Sequence, residues 1–349
     1  GISIVSGLRN GSWCLVLGDR SGSIGFQMTG NCPIRRPGAS GLAPLPGWDP
    51  LNDWRGFAAA EDLPRSVNPP EGFLVTANDD LSHLGNVPSI NICVGPDRGE
   101  RIREMLRGQE RVSLDDMKAL QYDLLSPQAL KFLAILKPIL ENLPRTSAAQ
   151  CLMEWDGRYD LESSAPLVFE RFYRSLIERV FGGILGQAMV HHLLDHTVLW
   201  LDFYQLFDRV LLAENSAWFL DQDRDLHYRA AWESVAWSAP ERYAKSRSFH
   251  ARHLLLGGRL PGWLGFDPGP FEIPGSRATV SQGQVVTKHS HKYVIAASAR
   301  WVTDLGNDEL ELNLPGGISD RRWSRWYSDG WRNWFLGVYR TLKLHTEGS

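Results

Sequence analysis

The spacing of apolar and polar positions changes character twice along the chain. Up to about residue 96 it shows the two-residue period and frequent turn signals of short strands. Trp13-Cys14-Leu15-Val16-Leu17 is an apolar run that predicts a buried strand. Asp19-Arg20-Ser21-Gly22 predicts a hairpin turn, and Ser23 to Met28 alternates as the returning partner. Residues 31–54 hold too much Pro and Gly for a regular element and predict an ordered loop, pinned by Trp48 and Trp54. Gly72 to Ala77 reads as a turn leading into a short apolar strand that ends at Asn78.

From about Asp97 the period becomes helical. Ile102, Met105 and Leu106 share one face, and Ser113-Leu114-Asp115-Asp116 supplies an N-cap followed by early acidic residues. Further helices are expected over 126–141, 165–180, 186–207 and 223–237. From Arg277 strands return at 279–280, 285–287 and 292–297, and a helix over 329–341 closes the chain. Strands, then helices, then strands, with no linker, predict one α+β domain over 1–349. Within it, 1–96 is a strand-and-loop region, 97–246 is helical, and 247–349 holds the returning strands and last helix.

Composition narrows the function only by exclusion. A net charge of −3 gives no global field for nucleic acid or an anionic membrane, so neither is expected as a partner. No apolar run approaches the roughly 20 residues that span a bilayer; 180–190 is too short and carries Gly182, Gly183, Gly186 and Gln187. The four cysteines, Cys14, Cys32, Cys93 and Cys151, contain no CxxC pair and read as buried or free thiols, with one disulfide possible. The sequence begins at Gly1, without a starter Met or signal segment, which suggests a processed product, a fragment or a trimmed protein.

The candidate chemistry is sparse. His192 and His196 stand at i and i+4 beside His191, a spacing that would put two imidazoles on one helical face. Leu193 stands where the metalloprotease motif needs Glu, and the neighbours are apolar, so histidines packed in a core helix are expected before a metal site. No Gly-x-Ser-x-Gly elbow and no phosphate loop is present. Arg35-Arg36 and Arg321-Arg322 read as solvated or structural pairs. Asn78 is the most informative polar residue. An amide at the end of a strand is held rigidly yet stays reachable, and its NH2 can donate to a developing oxyanion. The bland alternative is a turn former followed by Asp79 and Asp80.

Residues Gly18 to Phe26, with the run Gly-Asp-Arg-Ser-Gly-Ser-Ile-Gly-Phe, are similar to a stretch of the penicillin acylase (penicillin amidase) family of N-terminal nucleophile hydrolases. The similarity continues in order through Gly30–Arg35, Trp54–Phe57, Asn68–Asn78, Gly99–Ile102, Ser113–Met117 with Gln121 and Asp123, and Trp155–Gly157. It ends in Ala297–Leu305, Leu314–Ser319 and Trp326–Asp329, where Trp326 replaces the more usual His.

The resemblance implies a four-layer αββα fold and hydrolysis of the amide of an N-acyl compound: a β-lactam side chain, an N-acyl homoserine lactone or a lipopeptide. It implies autocatalytic release of a Ser whose own α-amine serves as base, and a periplasmic or secreted location. On the matched positions Asn78 is the oxyanion-hole residue and Arg101 the group that supports it. The nucleophile is expected to be absent: Gly1 cannot serve, and neither Ser3 nor Ser6 stands where the family's Ser would. The companion N-terminal segment, the α chain, the second oxyanion donor and most of the acyl pocket are then expected on other sequence. No cofactor is implied; calcium, bound in some members, would use a carboxylate that falls near Ser89 here. The contrasting expectation is a non-catalytic relative that binds a ligand or a partner, and a third is a metal protein using His191, His192 and His196.

Overall fold

The computed structural model describes residues 7–87, 93–197, 199, 203–288 and 291–343. Strands β1 (Cys14–Gly18) and β2 (Ile24–Met28) form the expected hairpin, and β3 (Arg65–Val67) pairs with the far side of β2. Asp19 builds the turn: its carboxylate accepts from the Ser21 and Ser23 N–H groups at 2.9 and 3.1 Å. β2 is the buried strand, with Phe26 and Gln27 inaccessible, whereas β1 is an edge strand that exposes Val16. The buried strand expected at 13–17 is therefore half-exposed, because only one of its sides meets another strand. Trp48 and Trp54 do not pin the following loop, since both are exposed. Arg36 Nε donates to Asn52 Oδ1 at 2.8 Å, and Asn52 Nδ2 to the Pro46 carbonyl at 2.9 Å, and these hold it instead.

The helical region contains α1 (Asp97–Leu106), α2 (Leu114–Gln121), α3 (Pro127–Leu140), α4 (Ser147–Glu154), α5 (Ala165–Leu185), α6 (Gln187–His196), α7 (Gln205–Leu211), α8 (Arg224–Glu233) and α9 (Ala244–Arg247). Side-chain oxygens start three of these helices. Ser113 and Asp116 form a capping box on α2, Ser126 caps α3 and Thr146 caps α4. α5 is the central element, packed on α4, α6 and α8. Phe132, Phe169, Phe172, Tyr173 and Tyr228 meet there with no exposed surface. Each such side chain contributes about 1.5–3 kcal/mol on burial, which makes this cluster the core. The helix expected over 186–207 stops at His196, where Thr197 turns extended (φ −124°, ψ 171°), and the next described helix starts at Gln205.

The last region returns to strands. β4 (Ser248–Phe249) pairs with β5 (Phe271–Glu272), and β6 (Gly283–Lys288) with β7 (His291–Ala296). β8 (Arg300–Asp304), β9 (Glu309–Asn313) and β10 (Arg340–Lys343) form a sheet with β9 central. Residues 279–280 are not a strand: the Thr279 hydroxyl bonds Ser276 N and Ser281 O at 2.8 and 2.9 Å and folds 276–281 into a buried turn. The closing helix α10 (Gly330–Leu336) is shorter than expected. Gly337 adopts φ 68°, a left-handed conformation suited to glycine, and sends the chain back as β10. The architecture is a mixed α+β one.

Candidate functional site

Asn78 does not end a strand. Residues 73–76 carry no strand, and among the described residues no ladder partner is bonded to them. The residue sits in a loop with φ 66°, a left-handed conformation that Asn tolerates better than most side chains. Asp79 shapes this loop, accepting from Ala77 N at 3.0 Å and from Arg103 at 2.8 Å. Gly99 of α1 permits the approach, because a Cβ there would meet the Asp79 carboxylate. Asn78 itself is exposed, while Ala77 beneath it is buried.

The group that holds the Asn78 amide is Arg98. Its Nη2 donates to the Asn78 side-chain Oδ1 at 2.9 Å and to the Ala77 carbonyl at 2.7 Å. A guanidinium has donors only, so the amide oxygen must face it, and the amide NH2 is the group left for a ligand. The backbone is fixed as well, since Val94 N donates to the Asn78 carbonyl at 3.0 Å. An exposed NH2 whose own oxygen is tied down is the arrangement needed to stabilise an oxyanion at 2.7–3.1 Å.

Arg101, the expected support, points elsewhere. Its Nε binds buried Asp123 at 2.8 Å and its Nη1 binds Glu104 at 2.9 Å. Asp123 also takes Arg158 at 3.3 Å. Arg101 thus ties α1 to the chain that follows α2, one step away from the amide. Residues 98 and 101 lie three apart on one helix, so either could serve on the sequence pattern alone. The one local signal for 98 is the adjoining Gly99.

The other candidates do not join this site. His191, His192 and His196 are exposed, contrary to the expectation of core packing; Val190 and Leu194 face the interior instead. The His192 and His196 rings lie 5.4 Å apart, His191 faces Glu178 at 3.6 Å, and Asp195 is held by Arg174. Among the described residues no group of three or more His, Cys, Asp or Glu converges on a common point. Arg36 and Arg322 are structural, the latter bonding the Leu264 carbonyl at 2.7 Å. None of the four cysteines is in a disulfide. Burial, with the negative charge of Asp80 and Asp79, pushes the Cys93 thiol up to about 11, and burial also raises Cys14. Both thiols near the Asn78 loop therefore stay protonated at neutral pH and are poor nucleophiles. Gly1, Ser3, Ser6 and Ser89 lie outside the described residues. No helix among the described residues is long and apolar enough to cross a membrane.

A groove of about 500 Å³ lies between β4, β7 and α10, lined by residues that include Phe249, His250, Val294, Trp331 and Trp334. Neither Asn78 nor Arg98 lines it.

The mixed α+β fold presents an exposed side-chain amide whose oxygen is held by a guanidinium. Residues 6–348 match the penicillin amidase family, and the chain belongs to it. It is 28% identical over 335 residues to the penicillin acylase 2 proenzyme of Pseudomonas sp. (strain SE83), covering 90% of this chain and 42% of that protein. It is 26% identical over 366 residues to the acyl-homoserine lactone acylase QuiP of Pseudomonas fluorescens (strain Pf0-1), covering 95% of this chain and 44% of that protein. The chain thus spans less than half the length of these relatives. Its fold is similar to that of the thermostable penicillin G acylase from Alcaligenes faecalis, with a TM-score of 0.61 at 14% identity, over 95% of this chain and 64% of the other.

Proposed function

We propose that this chain is the oxyanion-bearing part of an acylase-type amidohydrolase that cleaves the amide of an N-acyl compound. The observation that carries the reading is the Arg98–Asn78 contact, which ties the amide oxygen and leaves its NH2 to the ligand, in a member of the penicillin amidase family. The names of the relatives support a β-lactam side chain or an N-acyl homoserine lactone as substrate, and the family resemblance adds a lipopeptide tail as a further acyl donor. A Ser at the head of a companion segment acts as nucleophile and its α-amine as base. Asn78 Nδ2 donates to the tetrahedral oxyanion, and Arg98 fixes the donor. With that segment the single domain forms a four-layer αββα core, and the complete protein works outside the cytoplasm after self-processing. No cofactor takes part.

The test is to combine this chain with the nucleophile-bearing segment of a relative and follow hydrolysis of a chromogenic N-acyl anilide. Asn78→Gly suits the measurement, because glycine keeps the left-handed backbone and removes only the amide. Loss of one oxyanion donor is expected to lower kcat by roughly 10²–10³. An unchanged kcat sinks the reading.

One observation favours a second reading, a non-catalytic relative that binds a partner. Trp263 and Trp323 are 82% and 76% exposed on two loops joined by the Arg322 contact to Leu264. A combined protein that stays inert towards every N-acyl anilide, while binding a partner through those loops, supports it.

A further inference from the structure

Asn78 has no strand to hold it, so its conformation depends on side contacts. The Val94 N–H and the Arg98 guanidinium supply the donors to its carbonyl and its Oδ1. Both lie in the strip 94–98. What fixes that strip comes from far along the sequence, at the N-terminal end of α7. The Tyr204 hydroxyl donates to Asp97 Oδ2 at 2.9 Å, and Gln205 Nε2 donates to the Cys93 carbonyl. Lys131 of α3 takes the other Asp97 oxygen at 3.0 Å. The Tyr204 ring lies against Gly95 so closely that a Cβ there would fall inside the ring's van der Waals envelope. Tyr204 has no exposed surface and Asp97 is 3% exposed, so water does not compete for this bond. Burial and the adjacent Asp97 carboxylate hold the phenol well above its ordinary range, so it remains a donor.

We infer that Tyr204, seated in the socket left by Gly95, is a positioning residue for the Asn78 amide. It does not contact Asn78. It sets the register of 94–98 against the helical body, and through Val94 and Arg98 that register sets where the NH2 points. A displacement of about 1 Å at such a donor is enough to cost catalysis on the order of 10²-fold. The consequence for hydrolysis rests on the oxyanion reading proposed above; the positioning itself does not.

The test reads the amide directly. In the 15N-labelled chain, the side-chain NH2 pair of Asn78 is assigned by its loss in Asn78→Gly. Gly95→Ala is expected to shift or broaden that pair, because the new methyl pushes the ring away. Tyr204→Phe, which keeps the ring and drops the hydroxyl, should give a smaller shift at an almost unchanged melting temperature. Adding Tyr204→Leu to Gly95→Ala should move the signals back towards wild type, a size rescue that general destabilisation does not produce. An Asn78 pair unmoved in both Gly95→Ala and Tyr204→Phe, in folded protein, overturns the inference. In the combined enzyme, Tyr204→Phe should lower kcat about tenfold with KM unchanged. Shifted amide signals together with a kcat indifferent to both Asn78→Gly and Tyr204→Phe would remove the oxyanion reading and leave the positioning in place.

Discussion

Arg98 and Arg101 stand one helical turn apart on α1 and differ in what their guanidinium groups reach. Arg98 donates from one terminal nitrogen to the Asn78 oxygen and the Ala77 carbonyl, whereas Arg101 pairs with buried Asp123 and with Glu104. The two residues should therefore fail differently. Arg98→Lys keeps the charge but loses the rigid fork that holds the shared Nη2 against both acceptors. It should cut kcat strongly in the combined enzyme while urea unfolding of the chain moves little. Among the described residues, Arg101→Ala leaves Asp123, 6% exposed, with the more distant Arg158 as its ion-pair partner. Breaking such a pair costs roughly 3 kcal/mol, so urea unfolding should shift clearly and kcat per folded molecule should not. The reverse pattern would restore Arg101 as the support. At this scale the sequence singles out Asn78 as a candidate because amide chemistry and its flanking run point to the same residue. It left Arg98 hidden, since choosing between two arginines on one helix depends on how α1 is rotated. That rotation is set by Asp97, Glu100 and Asp123 contacts from distant segments.

Elements were legible where local chemistry alone decides them. Ser113 and Ser126 each place an oxygen at the start of an expected helix and cap it, and Thr146 does the same for α4, a helix outside the expected spans. Thr146→Ala removes the acceptor for Ala149 N, 3.1 Å away, and should lower the unfolding free energy by about 1 kcal/mol. Equilibrium urea curves check it; Thr146→Ser should restore most of the loss. The errors fall where the outcome depends on a partner. The apolar run 73–77 resembles a strand but finds no ladder among the described residues, and Arg98 and Asp79 claim its backbone groups instead. The run 329–341 holds enough helix formers to suggest one element. Gly337 divides it, and β9 offers β10 an open edge. The three histidines of α6 illustrate the same limit: helical spacing was plain, but not which face turns inward.

At the scale of the whole molecule, the helical core carries a buried polar chain. Tyr173 and Gln128 donate to Asp208 at 2.6 and 2.8 Å, Arg277 joins Gln128 at 3.3 Å and pairs with Glu170, and Tyr159 donates to Glu170 at 2.8 Å. Burial, with the nearby Asp97 charge added, outweighs the hydrogen bonds and pushes the Asp208 carboxyl up to about 7. The sign follows from linkage. The folded state keeps this proton up to about pH 7, whereas the unfolded chain releases it near the ordinary carboxyl value of 3.8. Asp208 therefore contributes full stability below about pH 4, and that contribution falls as pH rises to about 7 and then levels off. At about 1.4 kcal/mol per pH unit the loss is a few kcal/mol at most. Carboxylates whose range is lowered by partners, such as Asp195 beside Arg174, act in the opposite direction, but they are unchanged in a variant and cancel in the difference. Asp208→Asn removes the titrating group and one hydrogen bond to Gln128, a cost that does not vary with pH. Urea unfolding of both proteins from pH 4.5 to 7.5 should therefore show the variant gaining on the wild type by a few kcal/mol as pH rises. Parallel curves would mean that Asp208 is ionised throughout. In that case the charge beside Asp97 is a fixed part of the core that seats Tyr204.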